Sequence, residues 1–264
     1  MGFELETTMD RSARKNQRRQ RKQPLVRTLF ETCTEVFANG GTGFVPPPAD
    51  VQRLCSILDS MKAADVGLSP EMPYFRATKT GQAPVITYLH LYECEQFSMG
   101  IFCLPPSGVL PLHNHPGMTV FSKILFGTMH IKSYDWADDT TCSSPTCMAA
   151  SQNAPGPRLA KLKVNAEFAA PCSTSVLYPT TGGNMHCFTA LTSCSVLDVL
   201  GPPYSDRHGR HCTYYLERPL SSFSVGGSSV PADEKESFAW LQERDKPSDL
   251  FVVGAPYRGP KIID

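Results

Sequence analysis

Three histidines have the spacing of a metal-binding site. His113 and His115 are separated by one residue, and His186 lies further along the chain, shortly after a glycine-rich turn. Residues i and i+2 of a β-strand point to the same face, so the first two imidazoles can bind one metal ion. An antiparallel barrel can bring a later strand beside the first, which adds the third imidazole. The pattern therefore predicts a metal centre formed by His113, His115 and His186.

Three neutral imidazoles suit more than one metal. Fe(II) in non-haem enzymes is usually held by two histidines and one carboxylate. If a third histidine replaces the carboxylate, the Fe(II) site keeps its full 2+ charge, so it can bind an anionic thiolate and still offer a position to dioxygen. Zn²⁺ also suits three histidines and an open position, but it has no redox chemistry. The residues alone leave three readings open: iron, zinc, and ordinary strand and core histidines without a metal.

Two further polar residues follow the third histidine. Asp198 lies in an apolar strand, where an unpaired buried carboxylate is energetically costly. It can accept a hydrogen bond from a ligand histidine and fix its tautomer, or face a substrate ammonium group. The alternative is a strand position that points to solvent. Tyr204 follows a Pro-Pro turn that would hold its hydroxyl in one direction, and its alternative is a rim aromatic. We take both as candidate catalytic residues.

The remaining histidines and the cysteines give weaker signals. His90 and His130 lie singly on predicted strands, where packing is the ordinary role, and His208 and His211 lie in a predicted surface turn. The ten cysteines contain no CxxC pair, so the sequence predicts no zinc knuckle. We expect the thiols to be mostly reduced, as is usual for a protein inside the cell.

The segment from about 84 to 217 must position these residues, and its pattern is that of short β-strands. Apolar and polar residues alternate, and the runs are separated by some of the 23 prolines and 19 glycines of the chain. About nine strands at close spacing predict a double-sheet antiparallel barrel, a jelly roll. The predicted strands are 85–91, 97–104, 119–125, 128–134, 159–164, 175–178, 186–191, 196–200 and 212–216.

Flanking segments complete one predicted domain over 25–264. Apolar residues at helical spacing predict two amphipathic helices within 25–64, whose stripes form packing surfaces. Residues 137–157 are rich in Ser, Pro and Ala and predict a surface loop. A C-terminal wrap over 218–264 is expected to contain a polar linker, a short helix around 233–244 and a last strand at 251–254.

The first 24 residues form a separate predicted segment. Seven of the twelve residues from 11 to 22 are Lys or Arg, which predicts a disordered basic arm. This arm is either a nuclear-import or weak nucleic-acid patch, or a solvated tail without a partner. The whole chain carries 25 basic and 25 acidic residues, so it is not a wholly basic nucleic-acid-coating protein. It has no membrane-length apolar run and no secretory signal, so we expect it in the nucleus and cytoplasm.

The histidine pattern resembles the two motifs of the cupin superfamily. The first cupin motif runs from a Gly through His-x-His and a Glu to a second Gly, and the second runs from Pro and Gly to a His. The matching residues here are Gly108, His113, His115, Gly127, Pro179, Gly183 and His186. Val120 stands at the Glu position, so the carboxylate ligand is absent. The resemblance implies a mainly β fold, a cupin-like double-stranded β-helix (jelly-roll) barrel with N-terminal helices.

Four segments together resemble the plant cysteine oxidases, which are related to the animal 2-aminoethanethiol dioxygenase. These segments are LHNHPGMTVFSKILFGT (112–128), GPPYS (201–205), GRHCTYY (209–215) and VGAPYRGPKI (253–262). The likeness extends from about residue 26 to the C-terminus and leaves the basic arm outside. It implies that His113, His115 and His186 bind one Fe(II) per chain. It also implies that Asp198 and Tyr204 contact substrate or ligands, and that Cys212 lies near the site.

The resemblance also implies a function. The family uses Fe(II) and O₂ to oxidise the N-terminal cysteine of target proteins to the sulfinic acid. The expected targets are group VII ethylene-response transcription factors (ERF-VII) and other proteins that begin with Met-Cys. Their oxidised cysteine leads to degradation by the N-degron pathway, so the enzyme would sense oxygen and hypoxia. We expect a monomer without direct nucleic-acid contacts.

Two alternative functions remain open from the sequence. One is a dioxygenase of a small thiol, free cysteine or cysteamine, since the active-site residues hardly separate it from the peptide enzyme. The other is a non-catalytic, metal-binding jelly roll whose basic arm docks a nuclear partner. Iron-dependent O₂ consumption with a cysteine-initiating peptide distinguishes the three possibilities.

Overall fold

The computed structural model describes residues 23–77, 81–137, 156–222 and 237–263. Within these residues two helices precede twelve strands. The helices are α1 (Leu25–Val36) and α2 (Pro48–Ser60), and short 3-10 turns occur at Ala63–Val66, Pro73–Phe75, Asp206–His208 and Leu220–Ser222. The strands are β1 (Val85–Glu93), β2 (Ser98–Leu104), β3 (Val109–Asn114), β4 (Thr119–Phe126), β5 (Thr128–Trp136), β6 (Arg158–Ala169), β7 (Ser175–Leu177), β8 (Met185–Ala190), β9 (Cys194–Gly201), β10 (Tyr214–Pro219), β11 (Phe238–Arg244) and β12 (Phe251–Pro256).

The strands form two sheets, as the alternating sequence pattern predicts. One sheet has the order β12-β1-β2-β9-β4-β7, and the other six strands close into a barrel in the order β10-β11-β6-β5-β8-β3. The pairing of β1 with β12 is parallel, and the other pairings are antiparallel. The predicted mainly β jelly roll with N-terminal helices is therefore confirmed.

The two helices pack on one face of the six-stranded sheet. Leu29 of α1 and Leu54 of α2 share a buried core with Leu197 of β9. Val196, on the same strand, belongs instead to a core formed by residues of both sheets. Because side chains alternate along a strand, Asp198 points to the same side as Val196, away from the helices. The helices thus close the outer face of the sheet, and the candidate acid faces the interior.

The C-terminal wrap contains a strand where a helix was expected. The predicted helix around 233–244 is wrong for its described part, because Phe238–Arg244 is strand β11. This strand pairs with β10 and with β6, and both faces of it are covered: Leu241 packs beside Tyr134, and Trp240 beside Leu159. Hydrogen bonding to a neighbouring strand on each edge, with burial of both faces, outweighs the local sequence pattern that favours a helix in this segment. The last strand predicted at 251–254 is present as β12.

Several expectations concern residues outside the described ranges. Almost all of the basic arm and nearly the whole of the predicted loop at 137–157 lie there, so the division into arm and domain stays a prediction. In the part of the chain that the structure describes, neither helix has the length and apolar character that a bilayer span requires.

Candidate metal centre

The three predicted ligand histidines lie together. His113 is near the end of β3, His115 directly follows that strand, and His186 is on β8. Their ligand atoms all lie within 4.8 Å of one another, and the Nε2 atoms of His115 and His186 are 3.1 Å apart. Two nitrogens that bind one metal ion at right angles, each at about 2.1 Å, are about 3 Å apart. The spacing therefore fits a single metal ion.

A β-bulge aims His113 at this centre. The register of β3 against β8 shifts between Leu110 and His113, and bulges commonly redirect side chains beside active sites. The carbonyl oxygen of Pro111, inside the bulge, accepts a hydrogen bond of 2.7 Å from Nδ1 of His113. A carbonyl can only accept, so the proton of the neutral ring is on Nδ1. The Nε2 lone pair of His113 is left for a metal ion.

A tyrosine fixes the ring of His115 in the same way. The hydroxyl of Tyr204 donates its single proton to the carbonyl oxygen of Asn114 at 2.7 Å. The same hydroxyl lies 3.0 Å from Nδ1 of His115, so its oxygen accepts the Nδ1 proton. Nε2 of His115 therefore carries a free lone pair. Partners of this kind set the orientation and the basicity of metal-binding histidines.

The electrostatic environment keeps the three rings neutral. Burial holds the pKa of His115 well below its usual range, and the neighbouring His186 and His113 lower it further. The pKa of His186 is also well below its usual range, because of burial and then of His113. Burial lowers the pKa of His113 too, against the opposing hydrogen bond to Pro111. Neutral imidazole is the form that binds metal, so the site fits a divalent ion without prior loss of protons.

The described residues add no carboxylate to this group. Val120, which stands at the position of the cupin glutamate, is buried on β4 in an apolar cluster with Met118 and Leu177. The centre therefore consists of three neutral ligands, and a bound divalent ion keeps its full charge. This arrangement fits both iron and zinc by ligand type.

A cavity of about 360 Å³ leads to the three histidines, and we call it the front pocket. Its outer end includes the exposed side chains of Glu93 and Lys246. Its deeper lining includes the three histidines together with Tyr88, Phe102, Asp198, Leu200, Tyr204, Cys212 and Tyr214. The front pocket is large enough for the first residues of a peptide or for a small thiol.

Asp198 lines the front pocket as a buried acid with a free oxygen. It lies on β9 opposite Ser122 of β4, whose hydroxyl donates a hydrogen bond to it. Its Oδ1 is buried and has no hydrogen-bond partner among the described residues. Burial raises the pKa of Asp198 to about 7, against the lowering effect of Ser122. A buried carboxylate oxygen without a partner is costly, and a cationic group in the pocket would remove that cost.

Tyr204, which also lines the front pocket, hydrogen-bonds the loop that carries His115. Its proton is used by Asn114 and its oxygen by His115, so it orients a ligand from behind. Cys212 lies in the same wall and interacts with Tyr204 and Tyr214, and these contacts oppose the rise in its pKa that burial causes. Tyr204 thus holds the ring of His115, its catalytic role stays a prediction, and Cys212 lies near the site.

Tyr88 belongs to the front pocket and was not a sequence candidate. It lies on β1, and its phenol ring crosses Gly100 of β2, where a Cβ atom would overlap the ring and hydroxyl. Gly100 is in register with Asp198 on the next strand. Burial raises the pKa of Tyr88 to about 12, with further contributions from Asp198 and Glu93. The hydroxyl therefore lies beside the buried acid Asp198. In the sequence, the glycine at position 100 within a strand was the signal that could have indicated a close approach of another side chain.

The other histidines take no part in the centre. His90, His208 and His211 are exposed, and His130 is half-buried on β5. They do not belong to the cluster of potential metal ligands found among the described residues.

Comparisons with known proteins agree with this geometry. The PCO_ADO family profile matches residues 57–262. The chain is 58% identical over 254 residues to plant cysteine oxidase 2 of Arabidopsis thaliana, covering 95% of this chain and 88% of that protein. It is 61% identical over 246 residues to plant cysteine oxidase 1 of the same plant, covering 90% and 80%. The 2-aminoethanethiol dioxygenase of Mus musculus is 30% identical over 254 residues, covering 90% and 96%.

Solved structures give a more distant likeness. Oxalate oxidase in complex with glycolate aligns at a TM-score of 0.33 and 17% identity, over 56% of this chain and 62% of that one. An RmlC-like cupin from Desulfovibrio desulfuricans aligns at a TM-score of 0.30 and 16% identity, over 52% and 97%.

Proposed function

Because this chain belongs to the PCO_ADO family and is a thiol dioxygenase, we propose that it oxidises the N-terminal cysteine of target proteins to cysteine sulfinic acid, with Fe(II) as cofactor. The reaction adds both atoms of one O₂ to the thiol sulfur, R–SH + O₂ → R–SO₂H, and needs no further reductant. The high identity to two plant cysteine oxidases favours a cysteine-bearing substrate.

The observation that carries the proposal is the buried acid beside the three neutral imidazoles. Asp198 presents an oxygen without a hydrogen-bond partner to the same pocket that the histidines line. An N-terminal cysteine has a thiol and an α-ammonium group two carbons apart. The thiol is directed to the histidine centre and the ammonium to Asp198. One substrate thus satisfies both features of the pocket, which an internal cysteine without an ammonium group does not.

Iron is the metal we propose, at one ion per chain. Fe(II) held by the three imidazoles would keep its full 2+ charge and supply the redox chemistry that the reaction of a thiol with dioxygen needs, whereas Zn²⁺ has no redox chemistry. His113, His115 and His186 would hold the ion, and the hydrogen bonds at Nδ1 of His113 and His115 leave their Nε2 atoms free for it. Holding both reactants in one place removes much of the entropic cost of their encounter.

The remaining residues position substrate and ligands. Tyr204 fixes the His115 ring through Nδ1, and Pro111 fixes His113. Asp198 binds the ammonium group, and Ser122 holds the carboxylate in place from β4. Tyr88, which stands over Gly100, contacts the substrate on the side of Asp198.

The biological setting is part of the same proposal. The targets are ERF-VII transcription factors and other proteins that expose an N-terminal cysteine after Met. Oxidation commits them to the N-degron pathway, so turnover reports oxygen supply. The enzyme acts in the nucleus and cytoplasm, a location that the basic segment at 11–22 favours, and we take it to be a monomer.

A small-thiol substrate is the second candidate. A relative with 30% identity is named 2-aminoethanethiol dioxygenase, and cysteamine also has a thiol and an ammonium group two carbons apart. It satisfies the histidines and Asp198 equally well, so the two candidates differ in what fills the outer end of the front pocket.

The deciding experiment is mass spectrometry under ¹⁸O₂ with iron-loaded full-length protein. The substrates are a peptide that begins with Cys, the same peptide with an acetylated N-terminus, and cysteamine. We expect two labelled oxygens on the cysteine of the free peptide and little reaction of the acetylated one. Efficient oxidation of cysteamine, with no reaction of the free peptide, would establish the small-thiol alternative. Equal oxidation of both peptides would contradict the role of the ammonium group.

A further inference from the structure

The front pocket continues onto strand β12, at one edge of the six-stranded sheet. Val252 of β12 lines the pocket and is 37% exposed, so it lies where the pocket lining meets the protein surface. The volume of the pocket, about 360 Å³, gives room for the first residues of a peptide. A protein whose N-terminal cysteine reaches the three histidines must therefore leave the pocket over its rim.

The side chains of β12 alternate between the two faces of the sheet. Gly254 pairs with Tyr88 of β1, which is part of the wall of the front pocket. Paired residues of neighbouring strands lie on the same face, so Gly254 is on the pocket side. Val252 and Pro256, two positions before and after it, share that face, and Val253 points to the opposite one.

A recess lies above Gly254. Phe102 and Tyr88 occupy the two preceding positions of the same row across the sheet, and the centroids of their rings are 4.9 Å apart. The row ends at Gly254, where no atom of a described residue, apart from its chain neighbours, lies within 4 Å of the point that a Cβ would occupy. The recess is therefore bounded by the ring of Tyr88 and by Val252 and Pro256, with backbone as its floor.

Glycine is an unfavourable residue at this position unless another group approaches it closely. It weakens the interior of a strand, because it loses more backbone entropy on folding than other residues and has no side chain to pack. Gly254 is not among the glycines with a positive φ, so its backbone conformation does not require glycine. Glycine in a strand often marks a place where a ligand or another backbone comes close. The open space above Gly254 suits such an approach.

We propose that the recess above Gly254 binds the polypeptide segment that follows the N-terminal cysteine of the substrate. With the cysteine in the front pocket, the chain passes the ring of Tyr88 and runs in extended form over Gly254, with an apolar side chain against Val252. The rim also carries the exposed side chains of Glu93 and Lys246, which are costly for a passing chain to desolvate.

The recess distinguishes a protein substrate from a small thiol. Cysteamine and free cysteine end inside the front pocket, whereas a polypeptide gains contacts with β12 as well. Extended peptides commonly bind along a strand at the edge of a sheet. This inference rests on the proposed function, the oxidation of an N-terminal cysteine of a protein.

Kinetics of Gly254→Val test the recess. The new Cβ meets no other residue and valine is favoured in strands, so we expect the variant to fold like the wild type. With iron-loaded full-length protein, kcat/KM for an unstructured peptide that begins with Cys should fall several-fold, mainly through KM. Turnover of cysteinamide, which occupies only the front pocket, should stay unchanged. Equal kcat/KM of the variant and the wild type for the peptide would overturn the proposal.

The matched control is Val253→Phe. It enlarges the neighbouring side chain of the same strand, but on the opposite face of the sheet. We expect it to leave the kinetics of both the peptide and cysteinamide unchanged. An equal loss of peptide turnover in Val253→Phe and Gly254→Val would mean that β12 acts through its general integrity, and would also refute the recess.

Photo-cross-linking locates the bound chain without turnover. The probe is the same peptide with a photoreactive residue shortly after the cysteine, irradiated with iron-loaded protein in the absence of oxygen. We expect mass spectrometry to find cross-links within 251–256 of the wild-type protein and weaker labelling there in Gly254→Val. Cross-links confined to other segments would contradict the proposal.

The inference and the proposed function fail in different ways. If the wild-type protein oxidises cysteamine and leaves the free peptide unreacted, the proposed function fails, and the inference fails with it. If the wild-type protein oxidises the free peptide and Gly254→Val does so equally well, the proposed function stands and only the recess is refuted.

Discussion

The side chain of Asn184 holds both backbone polar groups of His115. Its Nδ2 donates to the carbonyl oxygen of His115 at 2.9 Å, and its Oδ1 accepts from the backbone N–H of His115 at 3.2 Å. The same Nδ2 donates to the carbonyl oxygen of Tyr178 at 2.8 Å. The residue two positions before His186 thus fixes the backbone of a second ligand. Asp135 holds the segment that carries Asn184, because its Oδ1 accepts hydrogen bonds from the backbone N–H groups of Gly183 and Asn184.

Replacement of Asn184 by Ala should loosen the whole centre. It removes three hydrogen bonds of a buried amide, which at about 1 kcal/mol each predicts a loss of about 3 kcal/mol in the free energy of unfolding. The change also frees the backbone of His115, so we expect weaker iron binding. Urea unfolding and iron content after dialysis measure the two effects. Asn165→Ala, on the exposed side of β6, is the control, and equal stability of the two variants would contradict the inferred role.

Removal of His186 should abolish the metal site. His186→Ala leaves two imidazoles, so we expect loss of bound iron and of thiol oxidation while the circular dichroism spectrum stays that of a β protein. The control is His90→Ala, because His90 is exposed on β1 and does not belong to the ligand cluster. Retained turnover with a normal iron content in the His186 variant would refute the ligand assignment.

Loss of the Tyr204 hydroxyl should weaken the metal site without unfolding the protein. Tyr204→Phe keeps the ring but removes the acceptor for Nδ1 of His115. Loss of such a partner typically lowers metal affinity by about 10- to 100-fold. Competition with a chelator measures the affinity, and Tyr74→Phe, on a half-buried tyrosine outside the site, is the control. Unchanged iron affinity, with lower turnover alone, would show that the hydroxyl acts on the reactants instead.

The buried carboxyl of Asp198 should make the stability of the metal-free protein depend on pH. Its pKa is raised from the ordinary 3.8 to about 7, so the folded state disfavours ionisation. The stabilisation that this group contributes is complete below about pH 4 and is lost as the pH rises through 7. The loss amounts to about 4 kcal/mol relative to Asp198→Asn, which does not titrate.

Urea unfolding of both metal-free proteins at several pH values tests this dependence. We expect the wild-type protein to lose stability relative to Asp198→Asn between pH 4 and 8. The exposed Asp206, changed to Asn, serves as control and should follow the wild-type curve. Parallel curves for wild type and Asp198→Asn would mean that the carboxyl has an ordinary pKa. In the iron-loaded enzyme, Asp198→Asn should also lower kcat/KM for a peptide with a free N-terminal cysteine.

Tyr88 should contribute to substrate binding more than to the chemical step. Tyr88→Phe removes a hydroxyl beside Asp198, so we expect a higher KM for the cysteine peptide and a kcat close to that of the wild type. Gly100→Ala should have a similar effect, because the added methyl group displaces the ring. Tyr92→Phe on the same strand is the control, since Tyr92 packs against the helix side of the sheet. A fall in kcat alone would assign Tyr88 to the reaction itself.

The sequence by itself determined the group of three histidines and the type of fold. His-x-His and the later His186 follow from spacing along the chain, and the strands follow from alternation and from Gly and Pro between the runs. These signals lie within a few residues of one another along the chain. They agree with the structure because a strand that buries one face needs apolar residues at alternate positions. The identification of the family likewise rested on short contiguous segments.

The tertiary structure decided how the ligands are held. Asn184 acts on a residue 69 positions earlier, and Tyr204 on one 89 positions earlier. The bulge at Pro111, the partner of Asp198 on β4 and the strand character of Phe238–Arg244 depend equally on which strands become neighbours. The periodicity of a single segment does not encode such pairings. The free energy of a hydrogen bond between two strands is gained only when these distant segments lie side by side. The sequence therefore specified the three imidazoles, and the packing of the barrel set the tautomers of His113 and His115, the neutrality of all three rings and the pocket that leads to them.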